Sequence, residues 1–221
     1  MNGCDEKRLY VKTDGVSRRG ASQSMPRMSV FTDMAQCSPE EVERMLQKVS
    51  GMRREEALRF KHLAGRYNCL KSHEMLSQLL WEHYGIPMEE DLLLDVNKHG
   101  KPSLHDYPDV HFNISHCPHA IAVAVDDSPV GIDVERFVAP KSSLLRYTMN
   151  DGEVQEVESA EHPDEAFARL WTRKEALFKY YGTGIRSTLK EILADIPAEV
   201  HLDTSVDSIH QFALTIAYRR R

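Results

Sequence analysis

The stretch from residue 110 to residue 135 reads VHFNISHCPHAIAVAVDDSPVGIDVE and decides the fold of this chain. It contains three short runs rich in β-branched and apolar residues, Val110–Ser115, Ala120–Val125 and Pro129–Glu135, which are typical of strands. The polar segment Asp126–Pro129 between the last two predicts a tight turn and therefore a hairpin. We expect a β-meander at the centre of the chain.

Helical patterns lie on both sides of this meander. Ser38-Pro39, followed by two glutamates, predicts a capped helix start, and Arg53–Tyr84 has apolar residues at helical spacing, in one piece or two. Downstream, Asp164–Tyr181 predicts a strong helix that glycine ends, and Asp151–Glu158 a weaker one. Further strand-like runs are Met28–Met34, Leu92–Val96, Glu199–Leu202 and His210–Tyr218. Helices followed by strands in each half predict an α+β fold with two similar halves.

This order of elements divides the chain into three parts. Residues 1–27 are polar, basic after Asp14 and contain several Gly and Ser, which is typical of a flexible N-terminal extension. Residues 28–125 form the predicted N-terminal α+β half. Residues 126–221 form the predicted C-terminal half, and they contain most of the acidic motifs described below.

Composition narrows the class of protein. A chain of 221 residues can bury a substantial core, and a formal charge of −6 argues against nucleic acid as the main partner. No apolar run is long enough to span a bilayer, and the first residues lack the apolar core of a signal peptide. Four cysteines without a C-x-x-C pair favour reduced thiols. We therefore expect a cytoplasmic protein without a membrane partner.

Two short motifs place carboxylates at regular spacing. In Gly131–Glu135 the side chains of Asp133 and Glu135 are two residues apart and share one face of a strand. Neighbouring anions repel unless a cation lies between them, and carboxylate oxygens suit Mg²⁺. Glu175 and Lys179 lie four residues apart on one helix face. A solvated strand edge and an ordinary surface ion pair are the alternatives for these two motifs.

Polar residues also end the first strand of the meander, at Asn113-Ile114-Ser115-His116. A strand that becomes polar where the chain bends is typical of a site rim, so His116 could donate to a phosphate or simply cap the turn. Lys101, on a Gly-Lys-Pro turn, offers a cation near backbone that a phosphate can approach. A zinc site is a further alternative, and its candidate ligands are His105, His111, His116 and His119.

In this order the motifs resemble one family. FNISH, then GIDVE, then W-x-x-K-E-A-x-x-K are similar to the signature of the Sfp-type 4′-phosphopantetheinyl transferases, of the holo-acyl-carrier-protein synthase superfamily. The Gly-Lys-Pro turn lies at the matching distance upstream. The matching residues are Gly100–Pro102, Phe112–His116, Gly131–Glu135, Trp171, Lys174, Glu175, Ala176 and Lys179. The order of helices and strands agrees from about Ser29 to Tyr218.

The resemblance implies a pseudo-twofold α+β fold with the active site between the halves. It also implies a reaction, the Mg²⁺-dependent transfer of 4′-phosphopantetheine from coenzyme A to a serine hydroxyl of an apo acyl or peptidyl carrier protein. Adenosine 3′,5′-bisphosphate would be released. A chain with two halves already contains the interface that single-half relatives build by association, so we expect a monomer. The alternative is a coenzyme A-binding or carrier-docking module of the same fold without turnover.

Carried over residue by residue, the resemblance assigns the site. Asp133, Glu135 and Glu175 would bind Mg²⁺ against the pyrophosphate, and Lys179 and His116 would help to neutralise its charge during catalysis. For a reaction of this kind Glu175, directly or through a metal-bound water, is the best candidate base. Lys179 would stabilise or protonate the leaving group. The residues implied to contact coenzyme A are Lys101, Ser115, His116, Lys179, Arg66 and Arg53. Arg66 is shifted from the basic position that the family usually has in the long first-half helix. Arg53 and Arg54 match only loosely the basic residues expected earlier in the chain.

Overall fold

The computed structural model describes residues 25–89, 91–184 and 189–220. The predicted extension, residues 1–27, lies almost wholly outside the described residues, and the first strand already begins at Arg27. No described helix combines the length and the apolar character that a bilayer crossing requires.

The described part of the N-terminal half contains three α-helices and five strands. Its elements are β1 (Arg27–Phe31), a 3-10 turn (Met34–Gln36), α1 (Pro39–Leu46), α2 (Gly51–Leu58), α3 (Leu63–Tyr84), β2 (Leu94–Val96), β3 (Pro102–Leu104), β4 (His111–Cys117) and β5 (Ala120–Asp126). The tract predicted from residue 53 to 84 is therefore two helices. The strand predicted for 28–34 already ends at Phe31, and its last predicted residue, Met34, begins the 3-10 turn. Strand β3 was not predicted, because it has only three residues and begins at Pro102, within the predicted Gly-Lys-Pro turn.

In the C-terminal half, the residues that the structure describes form three helices and three strands. Its elements are β6 (Val130–Arg136), α4 (Ser142–Thr148), α5 (Asp151–Ser159), α6 (Pro163–Tyr181), β7 (Val200–Asp207) and β8 (Phe212–Arg219). The Asn150 side chain and Glu153 form a capping box at the start of α5, and Gly182 ends α6 in the left-handed conformation with φ of 63°. Helix α4 was not predicted.

Each half builds a three-stranded antiparallel sheet with the same strand order. The strand order is β1-β5-β4 in the first sheet and β6-β8-β7 in the second. In both sheets the central strand is the one that comes last in the chain, β5 or β8. This equivalence agrees with the predicted α+β fold of two similar halves. The boundary between residues 125 and 126 stays a prediction.

The predicted hairpin across Asp126–Pro129 is wrong. Strand β5 pairs with β1 and β4, whereas β6 pairs with β8, so the turn carries the chain from one sheet to the other. The actual hairpin joins β4 to β5 through the two residues between Cys117 and Ala120. Turn residues mark where a chain bends, and burial decides which strands then pair.

The alternation of β5 explains how both of its faces are buried. Ile121, Val123 and Val125 belong to the core under α3, whereas the alanines at 120, 122 and 124 pack with β6 and β8 of the other sheet. Small side chains on the second face allow the two sheets to approach closely. The two halves therefore share a core.

Candidate active site

The site begins where α6 lies across β6. Gly131 is the contact point, since a Cβ atom built there would lie 2.1 Å from the carbonyl oxygen of Ala176 and 2.4 Å from the amide nitrogen of Tyr180. Both distances are far shorter than atoms tolerate, so only glycine permits this approach. Asp133 is on the same strand face two residues later, and α6 therefore brings Lys179 to it.

We expect Gly131→Ala to destabilise the protein by about 2–3 kcal/mol or more, because the added methyl group meets helix backbone rather than a movable side chain. Urea unfolding measures the loss. Gly51→Ala is the matched control, because nothing lies within 4 Å of a Cβ atom there. Equal stability of Gly131→Ala and the wild-type protein would contradict the close contact.

A hydrogen-bond network joins Lys179, Asp133 and Ser115. The Lys179 ammonium donates to Asp133 Oδ1 at 2.7 Å, to Ser115 Oγ at 2.9 Å and to the Ile132 carbonyl at 3.2 Å. Ser115 Oγ donates to the same Asp133 Oδ1 at 2.8 Å. Asp133 is only 4% exposed, so the ion pair lies in a shielded place where its attraction is stronger than at the surface.

The second oxygen of Asp133 has no partner. Oδ2 is buried and accepts no hydrogen bond from any described residue. A buried carboxylate oxygen without a donor is costly, and buried polar groups are almost always satisfied. An oxygen of this kind fits a cation ligand.

The other two predicted metal ligands are electrostatically coupled to Asp133. Burial raises the pKa of Glu135, and the charge of Asp133 raises it further. Burial likewise raises the pKa of Glu175 to about 7, with repulsion from Asp133 and Glu135 adding to the shift and Lys179 opposing it. The three carboxylates thus lie close enough to repel each other, and a cation bound between them would relieve this repulsion.

The carboxylates of Asp133, Glu135 and Glu175 do not converge closely enough to form a ready metal-ligand set. Within the described residues, no three His, Cys, Asp or Glu side chains form a ready ligand set. The donor chemistry nevertheless fits Mg²⁺, because all three groups are hard oxygen donors and one oxygen is buried and unpartnered. The alternative zinc site gains no support: His105 pairs with Asp95, and His119 contacts the carbonyl of His210.

His116 lies next to Ser115 on β4, so the two side chains leave the strand on opposite faces. His116 is exposed, and its pKa is lowered by partial desolvation and by the Lys179 cation. The structure therefore brings His116 near Lys179 electrostatically but does not place it in the hydrogen-bond network.

Lys101 joins the two halves. Its ammonium donates to the Val130 carbonyl at 3.0 Å and to the Tyr180 carbonyl at 3.2 Å, and desolvation lowers its pKa to about 8. Asn97 supports this turn, accepting from the amide of Lys101 and donating to the Gly182 carbonyl at 3.0 Å. Lys101 thus holds the end of α6 against the start of β6.

The two arginines predicted to contact coenzyme A make local contacts in the helices of the N-terminal half. Arg53 is buried and pairs with Glu56 at 2.6 Å. Arg66 donates to the Phe60 carbonyl at 2.9 Å. Neither of these contacts reaches the carboxylates, and the binding roles of both arginines stay predictions.

Two features of the site were not predicted from sequence. Lys174, fully buried on α6, pairs with Glu153 at 2.7 Å and donates to the Leu189 carbonyl at 2.8 Å. Asn113 accepts a hydrogen bond from the Ile132 amide at 2.8 Å. The N-x-x-E spacing of Asn150 and Glu153 is a sequence signal that could have found the helix cap, but it does not point to a buried lysine beside that cap.

Comparison with known proteins identifies a family model and several relatives that this chain matches. The model of the 4′-phosphopantetheinyl transferase superfamily matches residues 129–216, which include β6, α6 and most of β8. A 4′-phosphopantetheinyl transferase of Bacillus subtilis is 29% identical over 185 residues, 82% of this chain and 81% of that relative.

The 4′-phosphopantetheinyl transferase psf-1 of Bacillus pumilus is 32% identical over 156 residues, 70% of this chain and 66% of that relative. The matched segment thus spans just under two thirds of that relative's length. The 4′-phosphopantetheinyl transferase AcpT of Salmonella typhimurium is 36% identical over 118 residues, 48% of this chain and 59% of that relative. The resemblance seen in the three motifs is confirmed, and the chain belongs to the 4′-phosphopantetheinyl transferase superfamily.

Proposed function

We propose that this protein transfers the 4′-phosphopantetheine group of coenzyme A to a serine hydroxyl of an apo acyl or peptidyl carrier protein, with Mg²⁺ bound by Asp133, Glu135 and Glu175. The observation that carries the proposal is the buried, unpartnered Oδ2 of Asp133 beside two carboxylates of raised pKa and the Lys179 ammonium. The names of the relatives support the same reaction.

In the proposed reaction, the serine oxygen bonds to the phosphorus that carries pantetheine, and the bond from that phosphorus to the bridging pyrophosphate oxygen breaks. Glu175 takes the serine proton, for which a carboxylate with a pKa of about 7 is well suited. Lys179 stabilises or protonates the leaving phosphate of adenosine 3′,5′-bisphosphate. Bound Mg²⁺ would supply charge neutralisation at the phosphates.

The remaining contacts with coenzyme A are assigned from the family resemblance. His116 and Lys101 would donate to phosphate oxygens, and Arg53 and Arg66 would approach the 3′-phosphate end. In the structure, the Lys101 ammonium donates to two carbonyl groups, so a phosphate contact would have to share or replace them. We also propose a monomeric cytoplasmic enzyme without nucleic-acid or membrane partners.

Intact-mass spectrometry of an apo acyl carrier protein, incubated with this protein, coenzyme A and Mg²⁺, tests the proposal. We expect a gain of one phosphopantetheine mass that EDTA prevents. Asp133→Asn is the matched control, because it removes the charge of the central carboxylate with little change in volume. Coenzyme A binding without transfer to any acyl or peptidyl carrier would instead identify the non-catalytic module.

A further inference from the structure

The Ser115 hydroxyl links the two sheets at the acidic site. Ser115 belongs to β4 in the first sheet, and its partners Asp133 and Val134 belong to β6 in the second. Strands β4 and β6 are edge strands of their sheets and are not paired with each other. Side-chain hydrogen bonds therefore replace strand pairing at this junction.

The bonding capacity of this hydroxyl is fully used. A serine hydroxyl has one donor and two acceptor positions. Ser115 donates to Asp133 Oδ1 at 2.8 Å, and it accepts from Lys179 Nζ at 2.9 Å and from the Val134 amide at 3.3 Å. A phosphate oxygen needs a donor, and the Ser115 proton is already held by a buried carboxylate.

These bonds orient Asp133 asymmetrically. Oδ1 accepts from both Ser115 and Lys179, whereas Oδ2 has no partner among the described residues. Two donors on one oxygen stop the carboxylate from rotating, so the other oxygen keeps a constant direction. Hydrogen bonds of this kind orient metal ligands in proteins generally.

Asn113 provides an internal comparison. It lies on the same face of β4 and is similarly buried, and its side chain accepts from the Ile132 amide at 2.8 Å. Asn113 and Ser115 thus each satisfy one amide of β6, two residues apart. Of the two, Ser115 contacts the carboxylate, whereas among the described residues the Asn113 side chain bonds only to backbone.

We propose that Ser115 is a positioning residue that presents Asp133 Oδ2 to the divalent cation, rather than a group that contacts a phosphate of coenzyme A. This inference rests on the proposed function, and it replaces the phosphate contact that the family resemblance assigned to Ser115. Ser115 acts through Asp133, which would itself be the ligand.

Three measurements on Ser115→Ala, Asn113→Ala and the wild-type protein test the inference. The first is the Mg²⁺ concentration that gives half-maximal transfer. The second is Mn²⁺ binding to the protein–coenzyme A complex, followed by the electron paramagnetic resonance signal of free Mn²⁺. The third is coenzyme A affinity in EDTA, by calorimetry. Ser115→Thr, which keeps the hydroxyl, tests for rescue, and circular dichroism verifies folding.

We expect Ser115→Ala to weaken Mn²⁺ binding and raise the half-maximal Mg²⁺ concentration by about 10-fold or more, as loss of a residue that orients a ligand does. Asn113→Ala should change both by less than about 2-fold, and coenzyme A affinity in EDTA should stay unchanged in both variants.

A phosphate contact would give the reverse pattern, with weaker coenzyme A binding in EDTA and unaltered metal dependence, and would overturn the inference. Equal changes in metal dependence in Ser115→Ala and Asn113→Ala would also overturn the inference, because Ser115 would then serve only to connect the two sheets. If the wild-type protein shows no transfer to any carrier, the proposed function fails, whereas an active wild-type protein with an unaffected Ser115→Ala variant refutes only the inference.

Discussion

Glu175→Gln should reduce transfer by at least about 100-fold, the contribution typical of a general base, and also stabilise the metal-free protein at alkaline pH. Glutamine keeps the shape of the side chain but can neither take a proton from serine nor contribute charge to a metal ligand set. The loss of activity should therefore accompany an intact fold.

The gain in stability follows from the pKa of Glu175. Its pKa is raised from 4.5 to about 7 by burial and by repulsion from Asp133, so the folded protein binds this proton more tightly than the unfolded chain does. The contribution of Glu175 to the free energy of unfolding therefore falls as pH rises from about 4.5 to 7, and it stays at this lower value above pH 7. Glutamine does not ionise, so the gain is absent at pH 4 and complete near pH 8.

Thermal unfolding in EDTA at pH 4, 6 and 8 measures this gain, which we expect to reach on the order of 1–3 kcal/mol at pH 8. Glu156→Gln, at an exposed position on α5, is the control and should show no such pH dependence. A Glu175→Gln variant with near-normal transfer would remove Glu175 from the proposed mechanism. A variant no more stable at pH 8 than the wild-type protein would contradict the raised pKa of Glu175.

Lys174→Met should cost about 3–5 kcal/mol of unfolding free energy, the largest loss of stability that we expect. The Lys174 ammonium is fully buried between Glu153 Oε2 at 2.7 Å and the Leu189 carbonyl at 2.8 Å. Methionine fills the space but leaves the carboxylate of Glu153 buried without its cation. That carboxylate also accepts a hydrogen bond from the backbone amide of Asn150 in the capping box, so the first turn of α5 should become less stable as well.

Urea unfolding of Lys174→Met, Glu153→Gln and the double variant measures how much of this loss of stability comes from the ion pair between the two residues. The double variant should recover part of the stability, because the uncompensated charge is gone. Arg169→Met is the matched control on the same helix: Arg169 is 55% exposed, its ion pair with Glu165 is 3.7 Å long, and its loss should cost less than about 1 kcal/mol. A Lys174→Met loss no larger than that of the control would contradict the buried pair.

These two predictions separate neighbouring residues of one helix. Lys174 and Glu175 are adjacent on α6 and leave it in different directions, Lys174 toward α5 and Glu175 toward the carboxylates of β6. Lys174 should therefore affect mainly stability and Glu175 mainly chemistry. Both roles depend on the close contact between α6 and Gly131, because this contact fixes the positions of Lys174 and Glu175 together.

Local patterns in the sequence were enough for much of the fold. Alternation predicted β4, β5 and β6, and helical spacing with proline at the start and glycine at the end predicted α6. The three motifs, taken in order, also indicated the family, which the comparisons confirmed. Period-2 spacing predicted that Ile132 and Val134 face a core while Asp133 points to the opposite side, as the structure shows.

Only the tertiary structure decided which elements meet. The Asp126–Pro129 turn looks like a hairpin in sequence, yet it connects two sheets, because pairing depends on which strand faces are buried together. The sequence by itself determined most of the elements and the acidic motifs, since those follow from local spacing, whereas β3 and α4 had no local signal that was recognised. The side-chain partners of Ser115, Lys101 and Lys174 are at least 18, 29 and 15 residues away along the chain, respectively. Local spacing carries no information about contacts at that distance, so their roles followed only from the packing of the two halves.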